Sequence, residues 1–365
     1  MGFFNFIKSF FEESVQDDNQ DYKSTSQQSN TYNKSNVRKS NNNDPEYNIR
    51  NPILNSPYDI TDELIQRIID NNLDSLTINY EFTRAQDEEN EGYIDYLNYR
   101  YSCNPFFRAN RRKPIKRIEF EVKLTHNVTS LYKAFSGMED LEYINLNDTS
   151  MITDMTFCFF FAKSFNQPIG HWDTSNVTSM MGMFSNAEVF NQPIGDWDTS
   201  KVTKMNSMFS EAYAFNQPIG NWNTSNVTEI WAMFDHADSF NQPIGRWNMS
   251  KVTSMYYMFH CAYAFNQPIG NWNTSNVTDM SCMFEYAKSF NQPIGCWNTS
   301  NVEYMSGMFE YAESFNQPIG NWNVSKVKSA ACMFNGAKSF NQYLSAWVIN
   351  DAFNYASVQP KLLGK

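Results

Sequence analysis

FNQPIGNWNTSNVTDMSCMFEYAKS, residues Phe265–Ser289, gathers Asn, Thr, Ser, Asp and Glu around one tryptophan, as a binding or catalytic site would. Its copies give the stretch a different meaning. The opening FNQPIG recurs at Phe165, Phe190, Phe215, Phe240, Phe265, Phe290 and Phe315, always 25 residues apart, and a degraded copy starts at Phe340. Eight of the nine tryptophans keep the same period, at Trp172, Trp197, Trp222, Trp247, Trp272, Trp297, Trp322 and Trp347. Self-similarity at such a period marks a stacked repeat, in which each unit buries its apolar face against its neighbours.

From the quoted unit into the start of the next, Val277, Met280, Met283, Phe284, Ala287 and Phe290 are separated by 3, 3, 1, 3 and 3 residues. That spacing predicts one face of a helix. Thr274 or Ser275 stands where a helix start needs a side-chain acceptor, and Pro268 and Gly270 mark a short extended segment before Trp272. The fold expected is an α/β repeat solenoid, leucine-rich-repeat-like, with one short strand or extended segment and one helix per 25-residue unit. Repeated Asn and Gln columns, such as Asn241, Asn266, Asn291 and Gln242, Gln267, Gln292, suit an internal ladder of side-chain amides, because identical neighbours offer every copy the same partners. Most of the polar chemistry in the stretch is therefore assigned to holding one unit to the next.

The 365 residues divide by composition. Residues 1–16 carry Phe3, Phe6, Ile7, Phe10 and Phe11 on one helical side, an amphipathic segment suited to packing, assembly or weak contact with a membrane surface through residues 1–13. Residues 17–44 form a polar tether without an apolar period. Residues 45–126 read as a divergent capping domain, with a helix near Ile60–Asn72, and three L-x-x-L-x-L-type spacings run through it and into the first repeat unit. These are Leu73, Leu76, Ile78; Ile115, Ile118, Phe120; and Leu141, Ile144, Leu146. Residues 127–351 hold about nine repeats of 24–25 residues, and 352–365 are a tail.

The array resembles the BspA-like leucine-rich-repeat surface proteins, whose units combine a T-S-N-V-T-x-M-x-x-M-F pattern with the F-N-Q-P-I-G-N-W variant seen here. The resemblance spans roughly Asn127 to Trp347 and implies an adhesive or protein-binding role. Related arrays also occur in large DNA viruses and protists. No export signal, lipobox or wall anchor accompanies the array, so an intracellular location is expected, in cytoplasm or virion.

A net charge of −11 argues against general nucleic-acid binding through phosphates. The basic run containing Arg108, Arg111, Arg112, Lys113, Lys116 and Arg117 reads as a solvated loop balancing nearby acids. Sequons at Asn176, Asn223, Asn226, Asn273, Asn276 and Asn298 fall inside the structural repeat. Cysteines 103, 158, 261, 282, 296 and 332 are read as free thiols. His126, His171, His236 and His260 share no metal-ligand spacing, and no Ser, Cys and His set is apparent by column, so neither an enzyme nor a cofactor or metal is expected.

Specificity is sought where copies differ. The pair between the Met columns changes from Asn206-Ser207 to Trp231-Ala232, Tyr256-Tyr257, Ser281-Cys282 and Ser306-Gly307. Trp231, Tyr256, Tyr257, Tyr213, Tyr263, Tyr286 and Tyr311 are the candidate partner-binding residues, with packing between neighbouring helices as the other reading. The expected function is a non-catalytic scaffold that binds a protein. A membrane-associated or virion assembly component is the alternative, and an F-box-like adaptor a third, since ITDELIQRII is also explained by a capping helix.

Overall fold

The computed structural model describes residues 53–54, 75–78, 117–120, 129–146 and 148–347. Residues 1–16, the tether, the helix near 60–72, the basic run apart from Arg117, and the tail lie outside the described residues. Every described residue falls within one unit, Arg50–Glu88 with Asn104–Lys365.

Four short strands form one sheet, the last of them inside the first unit of the array: β1 (Ile53–Leu54), β2 (Ser75–Ile78), β3 (Arg117–Phe120) and β4 (Tyr143–Asn145). They pair in parallel in chain order, with Leu76, Ile118 and Ile144 in register. The three apolar triplets read from the sequence therefore mark β2, β3 and β4. Beyond β4 the pairing changes hands. The Gln167 side chain accepts from the Ile144 N–H at 2.6 Å and donates to the Ile144 carbonyl at 2.7 Å. The next residue, Pro168, has no N–H with which to extend the ladder.

From there to Trp347 the chain stacks as coils built of turns. The helix expected in each unit is absent among the described residues, so the α/β assignment is corrected. The reason lies in where the amides point. Met205, Ser207, Phe209 and Glu211 donate to the carbonyls of Glu229, Trp231, Met233 and Asp235 in the next coil, at 2.7–3.0 Å. The intervening Met208, Ser210 and Ala212 donate to carbonyls three residues back. An α-helix needs those amides for bonds to the fourth residue back. Two residues of each such stretch also take left-handed backbone, as in Ser207 (φ 55°) and Glu211 (φ 59°), Ala232 (52°) and His236 (54°), and Tyr257 (56°) and Cys261 (54°). A left-handed residue every fourth position breaks any helix. Strand structure is equally sparse: the coils touch as β-structure only at isolated parallel pairings such as Asp154 with Ser179 and Ser179 with Lys204.

The inward columns carry the core. Phe184 stacks on Phe190 at 3.9 Å within a coil, and on Phe209 at 5.8 Å in the next. Trp222 lies face to face with Trp197 at 6.5 Å and Trp247 at 6.3 Å. Its indole Nε1–H donates to the Ile194 carbonyl at 3.1 Å, so a ring this large is buried with its one donor satisfied. The Asn column behaves as a ladder: Asn241 Oδ1 accepts from the Asn266 N–H at 2.9 Å and from Gln267 Nε2 at 3.0 Å. Thr274 caps no helix, since its hydroxyl donates to the Asn298 carbonyl of the next coil at 3.0 Å. Gly220 is fixed by close approach, for a Cβ there would sit 2.2 Å from the Pro243 carbonyl oxygen.

Two substitutions test this architecture. In a helix interior Ala→Gly costs about 0.5–1 kcal/mol, whereas at a left-handed position Gly is favoured by about 1 kcal/mol. Ala232→Gly should therefore leave the denaturant midpoint unchanged or raise it. Trp222→Ala should cost about 3–5 kcal/mol, as for other buried aromatics, and Trp347→Ala, in the last described coil, distinctly less. Equal small losses in parallel melts would contradict the buried column.

Candidate functional site

The seven candidate aromatic residues all fall on the turns between the isolated parallel pairings and the FNQ ladder. Most Met, Phe and Ala positions there point inward and are fully buried; between them Trp231, Tyr256, Tyr257, Tyr286 and Tyr311 are partly exposed, whereas Asn206, Ser207, Ser210, Ala232 and Cys261 are buried. Tyr256 and Tyr257 meet edge to face at 4.2 Å, and Tyr257 in turn meets His260 at 4.6 Å. His260 approaches Tyr286 at 6.3 Å, and Tyr286 stacks on Tyr311 at 4.6 Å. These five rings form a continuous line across successive coils. Tyr263 is exposed and carries Lys288 Nζ over its ring at 4.9 Å. Tyr213, also exposed, donates to Glu211 Oε2 at 3.2 Å. Trp231 stands half-buried in the Tyr256 column one coil earlier. The eight periodic tryptophans, by contrast, are all interior.

At the centre of the line is a polar quartet that sequence reading dispersed. Asp235-His236 in one coil stacks against His260-Cys261 in the next, because each pair occupies the same two columns 25 residues apart. Asp235 Oδ1 lies 2.7 Å from Nδ1 of His236 and 2.7 Å from Nδ1 of His260. His260 Nε2 is 3.5 Å from Cys261 Sγ and 4.0 Å from Glu285 Oε2. The imidazole centroids are 4.8 Å apart. His236 and His260 thus do occupy different columns, as their numbering implies, but they share one acceptor. The overlooked signal was a subtraction: 261 less 236 is the repeat period, and so is 260 less 235.

The electrostatics follow from this sharing. Burial works against the charged form of each imidazole, yet the hydrogen bond to Asp235 and the neighbouring Cys261 prevail, raising His236 to about 10 and His260 to about 9. Burial raises Asp235, but its two imidazole donors outweigh that and hold it below the usual carboxylate range. Burial also raises the Cys261 thiol, and the two histidines bring it down to about 7. Outside the quartet, burial pushes the Asp238 carboxyl up, with His236 offsetting part of that rise, and its buried Oδ1 finds no hydrogen-bond partner among the described residues.

All five described cysteines are free. No described helix is long and apolar enough to cross a membrane.

Asp235 and Asp238 should respond oppositely to truncation. Asp235→Ala strands two partly buried imidazole N–H groups and should cost about 2–3 kcal/mol. Asp238→Ala removes an unsatisfied carboxylate oxygen and should be neutral or stabilising in the same urea melts.

Neither the curated proteins nor the solved structures contain a match to this chain. A family model described as "Mycoplasma protein of unknown function, DUF285" matches residues 129–243, 214–296 and 267–359. The overlapping matches are what a tandem array produces, and together they run through all the stacked coils from 129 to 347 and beyond, more than half of the chain. The chain belongs to this DUF285 repeat family.

Proposed function

We propose that the protein is a non-catalytic recognition protein, which captures a protein partner on the line of variable side chains. The observation that carries this reading is a division of labour among columns. The Val, Met, Phe and Ala columns repeat with little change and are buried, so they build the stack. Trp231, Tyr256, Tyr257, Tyr286 and Tyr311 are partly exposed and stand in columns that change from coil to coil, where other coils place small or polar residues such as Asn206, Ser207 and Asn186 that are buried. A stack needs no such variety for its own stability, whereas a binding surface does. Aromatic side chains that are rigid, half-buried and aligned are the usual anchors of protein interfaces. The similarity to BspA-like surface proteins supports an adhesive role for the same surface.

The repeat provides its own control. Ser occupies the Trp231 and Tyr256 column at Ser281 and Ser306, so the double substitution Trp231→Ser, Tyr256→Ser is compatible with the stack. Each aromatic anchor typically contributes about 2 kcal/mol, so affinity for a partner identified by proximity labelling should fall more than about tenfold. Unchanged affinity in a folded double variant would move the interface elsewhere.

A further inference from the structure

We infer that His236, His260 and Cys261 form a binding site for a soft divalent cation of the zinc type. The inference is independent of the protein-recognition reading and rests on how three donor atoms converge. One ring nitrogen, the thiol sulfur and the second ring nitrogen lie within 4.8 Å of one another. Both Nδ1 atoms are already engaged with Asp235 Oδ1 at 2.7 Å, which leaves Nε2 of each imidazole as the ligating atom. A zinc ion bound tetrahedrally, with nitrogen at about 2.0–2.1 Å and sulfur at about 2.3 Å, separates those two ligands by roughly 3.5 Å. His260 Nε2 and Cys261 Sγ are 3.5 Å apart. That pair already stands at the separation a tetrahedral ion requires, and His236 is the third donor residue of the cluster.

Asp235 has the position of the carboxylate that orients metal-bound histidine. Metal-ligating imidazoles commonly donate their other N–H to such a group, which fixes the ring and increases its basicity. Here one carboxylate serves two rings, and it is itself buried. A mixed imidazole and thiolate donor set favours zinc and related ions over magnesium or calcium, which take oxygen ligands. Three protein ligands leave a fourth position, and Glu285 Oε2, 4.0 Å from His260 Nε2, stands beside it. The Cys261, His260 and Asp235 arrangement also resembles a nucleophile with its base. Cys261 is only 6% exposed, however, which suits a small ion better than the approach of a bulky substrate.

The coil arrangement makes the site local to one junction. The column of His236 and Cys261 holds Asn186, Glu211, Tyr286 and Tyr311 elsewhere, and that of Asp235 and His260 holds Ser185, Ser210, Glu285 and Asn335. Only the 235–261 junction brings two imidazoles and a thiol together among the described residues. The same columns supply substitutions that the stack already accepts.

The test is a titration of the full, reduced, chelator-treated chain with Co2+, followed spectroscopically and then displaced with Zn2+. A thiolate-to-cobalt charge-transfer band should appear, saturate at a single equivalent per chain and vanish as zinc replaces cobalt. Cys261→Asn should abolish the band, while Cys296→Ser, at an exposed thiol, should leave it unchanged. His236→Asn and His260→Ser should each weaken binding by at least about tenfold, and Asp235→Asn by about 10–100-fold through loss of the orienting carboxylate. Tryptophan emission from the buried column reports whether each variant keeps its fold. Should Cys261→Asn alter it, His260→Ser decides, since Ser already occupies that column in two coils. Absence of a saturable band in the unmodified chain would overturn the site, as would a band of unchanged strength in folded Cys261→Asn or His260→Ser.

Discussion

The structure depends on one choice made by the backbone: alternate amides of the Met- and Phe-bearing stretch bond to the next coil instead of to their own. Ser207 N–H reaching the Trp231 carbonyl at 3.0 Å, and its equivalents along the chain, tie each coil to its successor. Such bonds exist only while coils remain in register at the repeat period. Side chains of one column are then held a few ångströms apart, and aromatic columns stack ring on ring, as Trp272 does on Trp297 at 6.3 Å. Backbone strain is accepted in return, since two left-handed residues per stretch are non-glycine in most coils. Neighbours on both sides over-determine that conformation, which is the usual condition for keeping it.

Fixed columns also explain how chemistry arises in a structural repeat. Any two residues separated by the period become spatial neighbours, so a pair of changes in adjacent units creates a local site without altering the fold. The quartet of Asp235, His236, His260 and Cys261 is such a product, as is the stacked pair Tyr286 and Tyr311. Glu211 shows the same logic in a weaker form. Burial raises its carboxyl in the His236 column one coil earlier, and the Tyr213 hydroxyl offsets part of that effect.

Much of this was legible in the sequence, and the limits were physical. The period, the buried columns and the amide ladder follow from repetition and side-chain chemistry. Strands β2, β3 and β4 were legible from Leu76, Ile118 and Ile144. The helix was a misreading because spacings of 3, 3, 1, 3 and 3 are equally those of consecutive turns, each about three residues long and turning the same face inward. Gly182, Gly307 and Gly336 at left-handed positions hinted at turns, but Tyr257, His236 and Tyr286 in the same columns hid the requirement. The candidate aromatics were visible as variable positions, whereas their joining into a line through His260 was not. The quartet required comparing residues one period apart and then one column over, which spacing motifs within a single segment never do.

The central claim is that the repeated segments are held by bonds between coils and, among the described residues, contain no α-helix. Far-ultraviolet circular dichroism of the folded chain tests it most directly. The account predicts a spectrum lacking the paired minima of α-helix across the repeats, together with cooperative loss of the buried-tryptophan signal on unfolding. Helical minima of a strength corresponding to one short helix in every unit would contradict it.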